Sequence, residues 1–162
     1  MTKLIVYVDG GSRGNPGPAA IGVVICLPAN RLTAQGVRQA GNADEEVLKK
    51  YLEYLGDKIT NNEAEYQALI FSFKKIKALF GKKKIKEMEL EIKSDSELLV
   101  KQLNGLYKIL DPKIQKLFLK VWNAKIDFKE VKLNLISRKD NLEADRLVNE
   151  VLDSQTQTQK LI

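Results

Sequence analysis

Residues 9–22, DGGSRGNPGPAAIG, constrain the architecture of this chain more than any other stretch. They lie between two apolar, β-branched runs, KLIVYV before and VVICL after, each with the length and composition of a buried strand. Gly10, Gly11, Gly14 and Gly17, with Pro16 and Pro18, mark a tight turn between those runs. The segment is expected to be a strand–turn–strand hairpin, with Asp9 as the last residue of its first strand and Gly22 opening the second. An acid at that corner is either a turn cap or a functional carboxylate. The choice depends on whether other acids arrive at the same place.

Several chemistries are excluded by residue type. The chain has 162 residues, enough for one domain that buries a core without staples, and it contains no histidine. Ser-His and Cys-His nucleophile pairs, histidine-ligated zinc and imidazole bases are therefore unavailable. Its single cysteine, Cys26, lies within an apolar run and reads as a small core residue. Hydrolytic chemistry would have to use carboxylates, lysine or a hard metal ion. No apolar window is long enough to span a bilayer and no signal pattern opens the chain, so a cytoplasmic, monomeric protein without membrane association is expected. The net charge of +6 favours a polyanionic partner without naming one, since lysines on solvated helix faces give the same total.

Beyond the hairpin, residues 28–50 are polar and aperiodic and read as a long surface insertion, with a short helix over 43–50. YLEYLG, 51–56, is expected to return as a third strand. Thr60, Asn61 and Asn62 offer polar starts for a helix to about Phe80, whose buried stripe is Leu69, Phe73, Ile76 and Phe80. Glu65 precedes Leu69 by one turn and shares that stripe, whereas Glu63 lies on the wetter face. An inward glutamate must be paired, protonated or metal-bound. EMELEIK, 87–93, alternates as a half-buried strand and ends beside Asp95, with Ser94 and Glu97 spaced as a capping box for the next helix. A helix from Pro112 through Trp122, a strand over 131–136, a polar turn at 138–141 and a last helix from Leu142 follow. Leu142, Asp145, Val148 and Leu152 share one stripe of that helix, which makes Asp145 another acid on an apolar face. The domain is expected to span 1–153, and 154–162 to be a flexible polar tail.

The expected order is β-β-β-α-β-α-α-β-α, an α/β fold with a mixed sheet flanked by helices. Asp9 and Asp95 end strands; Glu65 and Asp145 begin helices. Four such acids cannot lie close together as anions without compensation. Raised pKa values are one resolution and a hard divalent cation is another; with no histidine or thiolate, the second suggests Mg²⁺ or Mn²⁺. A pair of such ions about 4 Å apart can activate water and stabilise the leaving oxygen of a phosphodiester.

DGGSRGNPGPAAIG, TNNEAEYQAL, SDSELLVKQLNG and NLEADRLVN, in this order, resemble the type 1 ribonuclease H family over nearly the whole chain up to Asp153. The resemblance implies the ribonuclease H-like fold, with a five-stranded mixed sheet, and endonucleolytic cleavage of the RNA strand of RNA–DNA hybrids, giving 3′-hydroxyl and 5′-phosphate ends. It implies two Mg²⁺ (or Mn²⁺) ions held by Asp9, Glu65, Asp95 and Asp145, with Asp9 shared between them and Asp145 a looser ligand of the second. It also implies that Asn15, Asn61, Asn62 and the backbone near Gly11 read 2′-hydroxyls; turn or cap duty is the alternative for each asparagine. Where many relatives place a loop histidine, this chain offers Arg138, which cannot shuttle protons at neutral pH. Neither a separate hybrid-binding domain nor a strongly basic protrusion between the middle helices is expected from this sequence. Whether double-stranded RNA is also cut is left open. The rival readings are a non-catalytic hybrid or double-stranded RNA binding module on the same fold, and a DNA-directed relative of the resolvase or integrase kind.

Overall fold

Leu4, Val6 and Val8 point to one side of the first strand and Ile5 and Tyr7 to the other, and all five are buried. A strand covered on both faces reads as an unbroken apolar run. In the computed structural model, which describes residues 2–28 and 45–161, this strand, β1 (Lys3–Ser12), is the centre of a five-stranded sheet. The order is β3-β2-β1-β4-β5, from β2 (Gly17–Pro28), β3 (Glu45–Ile59), β4 (Glu89–Ser94) and β5 (Glu130–Leu135). β1–β2 and β2–β3 are antiparallel; β1–β4 and β4–β5 are parallel. The expected mixed, ribonuclease H-like α/β architecture is what forms.

One face carries α1 (Asn61–Ile85), α2 (Glu97–Leu103) and α3 (Pro112–Lys125), packed over Leu4, Val6, Val8 and Ile92 through Leu69, Phe73, Ile76, Leu99 and Val121. The other face carries α4 (Leu142–Lys160), whose Ala144 and Leu147 meet Ile5, Tyr7 and Val24. Thr60 and Glu63 close a capping box at the start of α1. Near its end Gly81, at φ +81°, breaks the helical path before one further turn.

Several expectations are corrected. β1 does not stop at Asp9 but runs on to Ser12. Residues 45–50 are not helical: they open β3, because pairing along β2 from Glu45↔Pro28 outweighs a locally helix-like acidic start. Residues 43 and 44 lie outside the described residues, as does most of the 28–50 insertion. Ser96 rather than Ser94 caps α2, accepting from the Leu99 N–H, while Ser94 is a fully buried strand end. Leu142 is 65% exposed. The buried stripe of α4 is Ala144, Leu147, Val148 and Leu152, and Leu142 lies two residues, about 200° of helix rotation, from Ala144. Residues 154–160 continue α4 instead of forming a loose tail.

Candidate active site

The site forms where one strand outruns its neighbour. β4 accompanies β1 only as far as the pair Val8↔Ser94, so Asp9 is the first β1 residue past the end of β4 and Asp95 the first residue after it. Side chains can enter this notch in the sheet from both faces.

α1 closes it from one side. A Cβ on Gly10 would lie 2.3 Å from the backbone carbonyl of Ala64, so α1 rests directly on the strand backbone. With no β4 partner beside it, the Gly10 N–H donates to Glu65 Oε2 at 3.2 Å, and the Ser12 N–H donates to Asn61 Oδ1 at 2.9 Å. Asn61 and Glu65 are one helical turn apart, Gly10 and Ser12 one strand repeat apart. Helix side chains thus replace the missing strand along this edge of β1.

Asp9, Glu65 and Asp95 each present a carboxylate oxygen within 4.8 Å of the others. Asp145 and Arg138 line the same concavity, about 450 Å³ in volume, together with Gly11 and Asn61. All four predicted acids therefore border one cavity, three of them in ligating proximity. Asp145 is exposed rather than on an apolar face, since one residue beyond Ala144 turns it by about 100° onto the helix flank. Its carboxylate is steadied by Asn149, whose Nδ2 donates to Asp145 Oδ2 at 3.3 Å.

Crowding has an electrostatic signature. Burial, then the charges of Asp95 and Asp145, push the Asp9 carboxyl up to about 8. Burial and the charge of Asp9 hold Glu65 well above the ordinary carboxylate range. Asp95 is raised by burial, partly opposed by the Arg138 guanidinium. An all-oxygen donor set that retains protons for want of a counter-charge fits a hard divalent cation.

Asn15 and Asn61 form a clamp: the Asn61 N–H donates to Asn15 Oδ1 at 3.1 Å, tying the β1–β2 turn to the start of α1. Asn62 is exposed on that first turn. One important residue escapes sequence reading. Asn141, 1% exposed, donates from Nδ2 to the Val8 carbonyl at 3.0 Å, immediately behind Asp9, and its side chain partly opposes the upward shift of the Asp95 carboxyl. The sequence offers only an asparagine before a helix; its partner lies 133 residues away.

Residues 7–151 match the family model described as reverse transcriptase-like. LC11-RNase H1, solved in complex with an RNA/DNA hybrid, superposes with a TM-score of 0.78 at 37% identity, covering 94% of this chain and 99% of that one. The chain belongs to the type 1 ribonuclease H family. The N-terminal RNase H domain of Rv2228c from Mycobacterium tuberculosis, solved as a fusion with maltose binding protein, gives a TM-score of 0.76 at 30% identity, over 98% of this chain and 99% of that chain. Ribonuclease HI of Halobacterium salinarum is 34% identical over 151 residues, 93% of this chain and 65% of its own length. The full mycobacterial protein, described as bifunctional, is 32% identical over 156 residues, 96% of this chain and 37% of its own length. The chain thus spans less than two thirds of these curated relatives. Within the type 1 ribonuclease H frame, this member brings Arg138 and no histidine to its acidic cavity. Among the described residues no helix is long and apolar enough to cross a membrane.

Proposed function

We propose that the protein is a metal-dependent endoribonuclease that hydrolyses the RNA strand of RNA–DNA hybrids, leaving 3′-hydroxyl and 5′-phosphate ends. The observation that carries this reading is the convergence of Asp9, Glu65 and Asp95 within 4.8 Å in a notch open to both faces of the sheet. These three would hold Mg²⁺ or Mn²⁺, and Asp145 at the rim would complete the holding of a second ion. Bound there, the cations supply the Lewis acidity that lowers the pKa of water and offsets charge on a phosphate.

The chain's own groups do the rest. The Arg138 guanidinium orients a phosphate oxygen at the mouth of the cavity. The clamp of Asn15 and Asn61 holds the β1–β2 turn rigid, so that the backbone at Gly11 and the amides of Asn15, Asn61 and Asn62 meet the minor groove and its 2′-hydroxyls in a fixed array. The net charge of +6 draws in the anionic duplex. The protein is proposed to act as a cytoplasmic monomer.

Cleavage of labelled hybrid, double-stranded RNA and DNA duplex is the direct assay. Hybrid RNA is expected to be cut only with Mg²⁺ or Mn²⁺, and DNA duplex not at all. Tight hybrid binding without cleavage at any metal concentration would favour the non-catalytic module instead. Asn141→Ala is expected to weaken Mn²⁺ affinity by about 10–100-fold, the range for a partner that orients metal ligands. Calorimetric titration checks this, and unchanged affinity would remove Asn141 from the site.

A further inference from the structure

We infer that Gly22 is a positioning residue for Asp145, and that Gly10 and Gly22 together set the depth at which two helices deliver their acids to the site. The inference rests on the proposed metal-dependent reading of that site.

Gly22 on β2 is the register partner of Asp9, so both project toward the face that carries α4. A Cβ on Gly22 would lie 2.3 Å from the Ala144 carbonyl oxygen and 2.9 Å from Leu147 Cβ. Gly10, the next residue after Asp9, faces the opposite way and stands in the same relation to Ala64 of α1. Ala64 and Ala144 are both fully buried. On each face, then, a bare strand backbone touches a helix at an alanine, and the residue after that alanine is the acid, Glu65 or Asp145. One residue advances a helix by about 100°, which carries the acid from the contact line onto the flank beside the notch. How closely the helix sits fixes how far its carboxylate reaches.

The two contacts differ in what else they hold. α1 is the principal core helix, with Leu69, Phe73 and Ile76 beneath it, so a methyl at Gly10 disturbs the fold as well as Glu65. The start of α4 packs against a smaller cluster, with Ile5, Tyr7, Val24 and Cys26. A methyl at Gly22 must push the Ala144 carbonyl back by about 1 Å to reach ordinary contact, and displacements of that size cost on the order of a hundredfold in rate when they move a catalytic group.

The experiment compares wild type, Gly22→Ala, Asp145→Asn and the double variant by hybrid cleavage, by Mn²⁺ calorimetry without nucleic acid, and by circular dichroism. Gly22→Ala is expected to keep the native spectrum, to lose on the order of a hundredfold in cleavage, and to show the same altered Mn²⁺ isotherm as Asp145→Asn. The double variant should be no worse than Asp145→Asn alone, because both changes remove one contribution. Additive losses, or a Gly22→Ala isotherm matching wild type, overturn the inference while leaving the proposed activity intact; a wild type that neither binds Mn²⁺ nor cuts hybrid overturns that activity. If Gly22→Ala does not fold, Gly22→Ala/Leu147→Ala, which keeps the Cβ 2.9 Å away but removes the side chain beyond it so that the start of α4 has room to shift, takes its place against Leu147→Ala, with Leu147→Ala/Asp145→Asn and the triple variant completing the cycle. Failure of that protein to fold makes Gly22 a packing residue only and ends the inference.

Discussion

Asp9→Asn is expected to abolish hybrid cleavage and, in the absence of metal, to stabilise the protein at pH 8. The two effects share a cause. The folded Asp9 carboxyl is raised to about 8 from an ordinary 3.8, so between those values the folded chain keeps a proton that the unfolded chain has released. The stabilisation from that retained proton is complete below about pH 4 and lost as pH rises through 8. Asparagine has no proton to lose. Thermal melts in chelator should therefore show wild type weakening from pH 5 to 8 more steeply than Asp9→Asn. Added Mg²⁺ should stabilise wild type, by binding the native state alone, and leave the variant unmoved. Cleavage should fall by more than about a hundredfold, the most that loss of an outer-sphere partner costs. Wild-type cleavage by Asp9→Asn, or parallel pH profiles, would show that Asp9 is not at the centre of the site.

The largest stability effect is expected from Lys93→Met. Behind Asp9 and Asp95, on the same side of the sheet, Lys93 Nζ meets Glu45 Oε1 at 3.1 Å and the Tyr7 hydroxyl at 3.3 Å, and that hydroxyl donates to Glu45 Oε2 at 2.7 Å. The Glu45 side chain is 5% exposed and that of Lys93 15%. The triad joins β3 to β4 across the two strands between them. Removing the cation strands a buried carboxylate, a loss of about 3–5 kcal/mol. Replacing both charges, as Lys93→Met/Glu45→Leu, should recover most of it, because the pair itself contributes little beyond what apolar packing would. Urea denaturation of the single and double variants tests this; a single variant within about 0.5 kcal/mol of wild type would mean that water reaches Glu45.

What could be read in the sequence follows the range of the forces involved. Glu65 can be read as the acid that enters the site because helical period is local: Leu69, Phe73 and Ile76 fix the buried face of α1, and Glu65 lies one turn before it. Glu63, expected on the wetter face, is instead folded into the capping box with its side chain only 14% exposed. For α4 the same method places Val148 and Leu152 rightly but misses the start of the stripe. Leu142, apolar but exposed, suggests a stripe through Asp145, whereas Ala144 and Leu147 carry it, and the alanine matters only because Gly22 lies opposite. Residues 45–50 mislead for a related reason: Glu45 and Glu46 suit a helix start, yet β2 supplies a ladder that local propensity does not report. The polar end of α4 continues without apolar residues, its Thr156 and Thr158 hydroxyls donating to the Leu152 and Ser154 carbonyls, and its composition carries no helical period from which to read it. Convergence of acids can be suspected from strand ends and helix starts. Asn141, whose bond to Val8 spans most of the chain, cannot.

The hooks that fasten α1 to the overhanging edge of β1 imply a rule about length. Four helical residues advance about 6 Å and two strand residues about 6.7 Å, so Asn61 and Glu65 can seize Ser12 and Gly10 together. One residue added or removed between them would swing a side chain by about 100° and release either the β1–β2 turn or the acid. In this respect the identity of Asn62 is free to drift, but the interval it occupies is a gauge set by two unlike polymers and has only one value.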